Sequence, residues 1–351
     1  MNRVFPALRG IAILLVVLNH TIHMGTVYPK SLGLAATLAA APWERWILYS
    51  LSGLGSFAVP IFLYLSGSFF SYAARQDDLR ANYRIVWVNL KNIVIPYVLW
   101  SSIFYLEIFL VHHQTCTPLE CIKQLIVGYP FNFIPLLIFY YLISPFLVFA
   151  TRRWGWIPAL VIGVLQLLLI NILYPGTLGF AFPGWFSHLT PPVLASTLAD
   201  WAVYFPLGLL YAQHAADYLP AVRRYRWVLA TLVVITFFLA LLDSLELVHL
   251  PLANYLFPFF FILLAPIFDR RRIPAVKTVE NIGKRAYGIY FMNLIVLDLL
   301  VVTLVAFIPG VFQYYLLILV PLFCLALLIP LGIMKLVERI QHPPIYRYVF
   351  G

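Results

Sequence analysis

The stretch FPALRGIAILLVVLNHTIH, residues 5–23, decides the fold class of this chain. It has the length and apolar character of a membrane-spanning helix, which needs about 20 predominantly apolar residues, yet it contains Arg9 and His20. The whole chain has the same character, since 63% of its 351 residues are hydrophobic and only 10% are charged. Its mean hydropathy of +0.93 is far above that of a soluble domain. The sequence therefore predicts an integral membrane protein.

Apolar stretches of similar length recur along the chain, separated by turn residues or charge clusters. They predict an all-α, polytopic membrane protein with about ten transmembrane helices, forming a single domain over residues 1–351. The expected spans are 5–24, 54–74, 85–111, 131–150, 156–174, 196–213, 227–247, 250–268, 286–308 and 311–334.

The distribution of positive charge predicts the orientation in the membrane. With these spans, twenty of the 23 lysines and arginines fall on one side. Only Lys30, Arg45 and Lys123 fall on the other. Because cytoplasmic loops collect Lys and Arg, both termini are expected to be cytoplasmic. The net charge of +10 is then a topology signal, and no nucleic-acid-binding module or nucleic-acid partner is expected.

Arg9 and His20 are predicted to share one face of the first helix. Eleven residues at 100° each end about 20° past three full turns, with a rise of about 16 Å. Arg9 then lies near the cytoplasmic edge and His20 in the outer half of the membrane. Ionisable residues inside a membrane are costly, and they usually face a partner or a polar cavity. The pair therefore predicts a functional site.

Simpler interpretations of the two residues stay open. Arg9 could extend to the lipid headgroups, and His20 could be a structural histidine bonded to a neighbouring helix. His20 and His23 are spaced i, i+3, but no carboxylate or cysteine stands nearby at ligand spacing. No metal site is therefore expected.

Other ionisable residues of the predicted bundle extend this site. Arg84 and Lys91 are seven residues apart and share a face near the inner end of the third span. Together with Arg9 they would suit a polyanionic ligand such as a phosphate group, although Arg84 alone could be a topology anchor. Toward the outside, a carboxylate could orient His20 by accepting its second ring proton. The candidates are Glu107, Asp243 and Asp298, with Asp298 favoured by its depth in the ninth span.

Small residues of the second span have two interpretations. Ser66 and Gly67 in LYLSGSFF favour close packing between helices. A nucleophilic role for Ser66 is the alternative.

A pair of cysteines stands in the predicted outer loop. Cys116 and Cys121 have a spacing compatible with a disulfide, and an oxidising compartment would allow one. Cys324 lies in the last span and is interpreted as a small core residue.

The motifs of the chain are similar to those of a known family. LRGIAILLVVLNH resembles the arginine, ten residues, histidine signature of the membrane acyltransferase 3 family, which includes O-acyltransferases of bacterial surface polysaccharides. Further stretches are similar to the family in the same order, and together they cover nearly the whole chain: VPIFLYLSGSFF, LKNIVIPYVLWS, YFPLGLLYAQH and RAYGIYFMNLIV. The chain differs from the family in lacking a His-Trp pair in the fourth span, and Asn293 stands where relatives commonly carry a histidine.

The resemblance implies a reaction and a location. Such enzymes take an acyl group, often acetyl, from cytoplasmic acyl-CoA and pass it to a hydroxyl of an extracytoplasmic glycan or glycolipid. Arg9 would then bind the phosphates of the coenzyme and His20 would assist transfer, either as a general base or as a transient acyl carrier. A tyrosine or Asn293 could stabilise the oxyanion. No tightly bound cofactor is expected, and the implied location is the bacterial cytoplasmic membrane, among membrane lipids.

Two other functions fit the same residues. A transporter or flippase for a lipid-linked glycan or another anion would use the charged residues to line a path. A non-catalytic subunit of a larger membrane assembly is the third possibility.

Overall fold

The fold is that of a computed structural model, which describes residues 4–26, 42–74, 78–340 and 343–351. These parts of the chain form α-helices, short 3₁₀ turns and loops, and they contain no strand. The α-helices are α1 (Phe5–Thr26), α2 (Pro42–Gly55), α3 (Ala58–Ala73), α4 (Leu79–His112), α5 (Pro118–Val127), α6 (Phe133–Trp154), α7 (Ile157–Leu173), α8 (Ala195–Trp201), α9 (Tyr204–Gln213), α10 (Ala215–Arg224), α11 (Arg226–Ser244), α12 (Ala253–Leu264), α13 (Val276–Lys284), α14 (Ala286–Phe307), α15 (Tyr315–Ile340) and α16 (Pro343–Phe350). The all-helical prediction is confirmed for the described residues.

Seven helical stretches among the described residues are long and apolar enough to cross a membrane. They are Phe5–Thr26, Trp43–Ala73, Leu79–His112, Phe133–Trp154, Arg226–Ser244, Ala286–Phe307 and Pro309–Arg339. Two shorter apolar helices cover Ile157–Leu173 and Ala253–Ile267, and the predicted span 196–213 is divided between α8 and α9. Each of the ten predicted spans therefore coincides with helix. The count of ten spans and the cytoplasmic position of both termini stay predictions, because length and composition alone do not establish what crosses the membrane.

Helix α1 lies in the interior of the bundle. Its buried residues, which include Phe5, Leu8, Ala12 and Ile13, are distributed around the helix rather than along one stripe. Helices α3, α13, α14 and α15 all pack against it. A helix that is apolar on most sides is stable where other helices surround it. The polar side chains of α1 are consequently held among neighbouring helices.

Helices α3 and α9 approach each other at backbone distance. A Cβ atom on Gly67 would lie 2.2 Å from the carbonyl oxygen of Phe205, and one on Gly208 would lie 2.0 Å from that of Tyr64. The Ser68 hydroxyl donates a hydrogen bond to the Gly208 carbonyl at 3.0 Å. Small residues allow such contact between membrane helices. The interpretation of Gly67 as a packing residue is confirmed.

The loop after α4 carries the two predicted loop cysteines. Cys116 and Cys121 form a disulfide with a Cα–Cα distance of 5.9 Å. Between them, Thr117 caps the start of α5: its hydroxyl accepts a hydrogen bond from the Glu120 backbone, and the Glu120 carboxylate accepts one from the Thr117 backbone.

Candidate functional site

Arg9 lies one turn inside the start of α1 and faces a cavity of about 400 Å³. Its guanidinium group stands over the ring of Tyr287, 5.0 Å from the ring centroid. We call this space the Arg9 cavity. It is lined by Arg9, Phe62, Leu65, Ser66, Phe69, Phe70, Ala73, Ile85, Asn89, Asn92, Ile93, Tyr141, Tyr287, Arg347 and Gly351.

The polar lining of the Arg9 cavity suits an anion. Arg347 of α16 brings a second guanidinium group, and Asn89 and Asn92 of α4 bring amide groups. None of the lining side chains is acidic. Guanidinium groups and amide N–H donors are the usual partners of phosphate oxygens. The cavity is therefore suited to a ligand that carries phosphate groups.

Helix α16 is held at this cavity by contacts with α4. The indole nitrogen of Trp100 donates a hydrogen bond to the Val349 carbonyl at 2.7 Å. The rings of Trp100 and Phe350 are stacked with centroids 6.1 Å apart, and Phe350 is buried. These contacts position Arg347 on the same cavity as Arg9, although the two residues stand far apart in the chain.

The predicted cluster of Arg9, Arg84 and Lys91 does not form in one cavity. Arg84 lines a neighbouring space of about 1170 Å³, which shares Asn89 with the Arg9 cavity. Lys91 is exposed, and its ammonium group lies 5.2 Å from the ring centroid of Trp87. Arg84 and Lys91 do share a face of α4, as predicted, but this face points away from Arg9.

His20 is held by Asn293 of α14. Its Nδ1 atom lies 2.7 Å from Oδ1 of Asn293. The Asn293 amide nitrogen donates hydrogen bonds to the carbonyls of Ile289 at 2.9 Å and Tyr290 at 2.6 Å. Because both amide hydrogens are used in this way, the oxygen faces His20 and accepts the proton that Nδ1 carries. In the neutral ring, Nε2 then keeps its lone pair and is available as a base.

This arrangement corrects the role expected of Asn293. The sequence suggested Asn293 as a hydrogen-bond donor to an oxyanion, but its two amide hydrogens are bonded to the Ile289 and Tyr290 carbonyls. It has no amide hydrogen left for a substrate. Its amide oxygen instead accepts a hydrogen bond from His20 Nδ1, the kind of contact that a carboxylate makes in hydrolytic triads.

The carboxylates considered as partners of His20 lie elsewhere. Asp298, the favoured candidate, contacts His112, with its Oδ2 atom 2.8 Å from Nε2. Glu107 lies near the same nitrogen, with its Oε1 atom 3.9 Å from His112 Nε2. Asp243 accepts hydrogen bonds from the Leu250 backbone and the Asn254 side chain. The prediction that Asp298 orients His20 is wrong in this structure, because Asp298 faces α4 whereas Asn293 faces α1.

The pair His20 and His23 does not present a joint ligand set. His23 is exposed, while His20 is partly buried and turned toward Asn293. Within the described residues, one group of three side chains has the spacing to hold a metal ion: Glu107, His112 and Asp298.

One wall of α14 connects the two halves of the site. Tyr287 lies beneath Arg9, the ring of Tyr290 lies 6.4 Å from that of His20, and Asn293 binds His20. These three residues are spaced i, i+3, i+6, so each is next to the following one on a stripe that turns by about 60° per step around α14. Since α1 is a continuous helix, Arg9 and His20 stand about 16 Å apart along it. The cationic cavity and the imidazole of His20 therefore lie along the same two helices, α1 and α14.

Several residues of this site were absent from the predicted set. In the sequence, Arg347 contributes only to the positive-inside signal, and no motif connects it to Arg9. Asn89 and Asn92 are polar residues at i, i+3 in an apolar helix, a pattern that could have indicated the inward face of α4. Tyr287 belongs to the family-like stretch RAYGIYFMNLIV, which by itself indicates no contact with Arg9.

The apolar helices that are long enough to cross a membrane define an integral membrane protein, and its interior holds a cationic cavity and an imidazole bonded to an amide. The model of the acyltransferase 3 family, described as an acyltransferase domain, matches residues 5–335. The chain therefore belongs to the acyltransferase 3 family. No curated protein and no solved structure is similar enough to the chain to match it.

Proposed function

We propose that this protein transfers an acyl group from cytoplasmic acyl-CoA to a hydroxyl group of an extracytoplasmic glycan or glycolipid, and that the acyl group is acetyl. Family membership supports acyl transfer as the reaction class. The observation that carries the proposal is the hydrogen bond between His20 and Asn293, because it leaves Nε2 of an oriented imidazole free to accept a proton. The expected location is the bacterial cytoplasmic membrane, with both termini on the cytoplasmic side.

The donor would bind through its phosphates. Coenzyme A carries phosphate groups at one end and its thioester at the end of a long, thin arm. Arg9 and Arg347 supply two cations in a cavity without acidic side chains. The rise of about 16 Å from Arg9 to His20 is comparable with the length of that arm. Phosphates held at Arg9 are thus compatible with a thioester beside His20.

The chemical step follows from the state of the imidazole. His20 Nε2 takes the proton of the acceptor hydroxyl as the hydroxyl oxygen attacks the thioester carbonyl. The tetrahedral intermediate collapses with release of the coenzyme A thiolate, and the imidazolium returns its proton to the thiolate. The products are the ester and coenzyme A. In the alternative sequence, Nε2 attacks the thioester first and forms an acyl-imidazole, which ping-pong kinetics would reveal.

The proposal is tested with purified protein in nanodiscs, labelled acetyl-CoA and envelope glycans as acceptors. His20→Ala should lower the transfer rate by at least about 100-fold, the scale of general-base catalysis, and leave acetyl-CoA binding unchanged. The matched control is His23→Ala, since His23 is exposed on the same helix. Transfer by His20→Ala at the wild-type rate would refute the mechanism.

The donor site has a separate test. Arg9→Ala should weaken acetyl-CoA binding by roughly 10- to 100-fold, the loss of one charge-assisted hydrogen-bonding group. Lys335→Ala removes a cation on the exposed side of α15 and serves as the control.

Passage of a lipid-linked glycan or anion across vesicle membranes without consumption of acyl-CoA would favour the transporter instead.

A further inference from the structure

Three ionisable side chains meet between the end of α4 and the middle of α14. His112 Nε2 lies 2.8 Å from Oδ2 of Asp298 and 3.9 Å from Oε1 of Glu107. The ligand atoms of the three residues all lie within 4.8 Å of one another. Asp298 and Glu107 are both buried, with 4% and 8% of their surface exposed. We call this group the Glu107 cluster.

Glu107 lacks a hydrogen-bond partner in this cluster. Both of its carboxylate oxygens are buried, and neither accepts a hydrogen bond. His112 cannot satisfy both carboxylates, because its Nε2 atom is already within hydrogen-bond distance of Asp298. Within the described residues, the ion pairs of Glu107 and Asp298 are with this one imidazole. Two buried carboxylates beside one imidazole need a further positive charge, which a bound metal ion or a proton shared between Glu107 and Asp298 would supply, since a buried unpaired carboxylate is strongly destabilising.

We propose that the Glu107 cluster binds one divalent transition-metal ion, with Zn²⁺ as the best match, through His112 Nε2 and one oxygen each of Glu107 and Asp298. Imidazole and carboxylate are ordinary zinc ligands at bond lengths of about 2.0–2.2 Å. Ligands around such an ion are separated by roughly 3 to 4 Å. The observed separations of 2.8 and 3.9 Å lie close to this range, so small side-chain adjustments suffice.

Three protein ligands leave a fourth position of a tetrahedral ion for water or another oxygen. Tyr129, in the loop between α5 and α6, lies close enough to the cluster to be affected by its charges. Burial, together with the charges of Asp298 and Glu107, raises the pKa of its hydroxyl. The loop is attached to α4 by a hydrogen bond of 2.8 Å from the Tyr105 hydroxyl to the Tyr129 carbonyl. The metal would therefore connect α4 and α14, independently of the proposed acyl transfer.

The test uses the full chain, purified in detergent with a tag that contains no histidine. After treatment with a chelator, the protein is dialysed against Zn²⁺ and the bound metal is measured by mass spectrometry. One Zn²⁺ per wild-type chain is expected. Asp298→Asn and Glu107→Gln should each weaken Zn²⁺ binding by at least about tenfold, because each removes an anionic ligand. X-ray absorption should show nitrogen and oxygen neighbours and no sulfur.

The control is His249→Ala. The Nδ1 atom of His249 lies 3.9 Å from Oδ1 of Asp243, but the His249 side chain is 88% exposed. Metal bound there would be adventitious surface binding. This variant should bind Zn²⁺ like the wild type, and Mn²⁺ in a parallel dialysis should bind at the same site more weakly. A wild-type chain that binds neither ion would overturn the proposal, whatever the variants do. Loss of bound Zn²⁺ in His249→Ala with full retention in Asp298→Asn would overturn it equally.

Discussion

Replacing Asn293 by Leu isolates the orientation of His20 from every other part of the site. The two side chains have similar size and shape, but Leu offers no acceptor to Nδ1 of His20. The carbonyls of Ile289 and Tyr290 lose the extra hydrogen bonds from the amide. They lie within α14, so their backbone environment remains helical. The principal change is therefore an unpaired Nδ1–H on a partly buried imidazole.

The size of the effect follows from that lost hydrogen bond. Leaving one buried polar group unsatisfied costs about 1 to 3 kcal/mol. The same free energy favours the neutral ring with its proton on Nδ1, the state in which Nε2 can act as a base, over the other ring states. Without Asn293, the fraction of His20 in this state should therefore fall by roughly 5- to 150-fold. We expect kcat for acyl transfer to fall by this factor. The KM for acetyl-CoA should not change, because Arg9 lies about 16 Å away along α1.

The measurement is steady-state transfer from labelled acetyl-CoA by wild type and Asn293→Leu, with coenzyme binding measured in parallel. Asn281→Leu is the control, since Asn281 is exposed on α13 and its amide oxygen accepts a hydrogen bond from Lys284 at 3.4 Å. An unchanged kcat in Asn293→Leu would show that Asn293 does not orient the base. A rise in KM with constant kcat would assign Asn293 to donor binding.

Two further predictions concern the scaffold. Gly67→Leu should lower the free energy of unfolding by about 3 kcal/mol or more, because even a Cβ atom would lie 2.2 Å from the Phe205 carbonyl oxygen. Thermal denaturation in detergent measures this change. The control is Gly163→Leu, which should stay close to wild type, because a Cβ atom there would meet its nearest neighbour, a side-chain atom, at 3.5 Å. Cys116 and Cys121 should react with a membrane-impermeant maleimide applied outside sealed cells only after reduction, because they form a disulfide. Reaction without reductant would contradict the disulfide, and reaction confined to inverted vesicles would contradict the predicted topology.

The local geometry of α1 could be predicted from the sequence. The same-face relation of Arg9 and His20 depends only on the helix repeat, and the continuous helix Phe5–Thr26 preserves it. Hydropathy likewise locates helical segments, because apolar length is a property of neighbouring residues. The seven-residue spacing of Arg84 and Lys91 likewise predicts correctly that they share one face of α4.

The direction of each face could not be predicted, because rotation of one helix against another depends on contacts between distant residues. Hydropathy indicates the depth of Lys91 in the membrane but not whether it points toward Arg9. Asn92, one residue further and 100° around α4, lines the cavity instead. The choice between Asn293 and Asp298 failed for the same reason, since both have suitable depth on α14 and face different helices.

The position of both Arg9 and His20 on α1 restricts how the protein can move during a catalytic cycle. An α-helix without an internal proline behaves as a stiff rod over three turns, and α1 has no proline between these residues. Sliding or tilting of α14 or α16 would change the hydrogen bond to His20 or the second guanidinium at the cavity, while the spacing between Arg9 and His20 would stay constant. Any opening that admits a donor or releases a product must therefore come from the helices around α1.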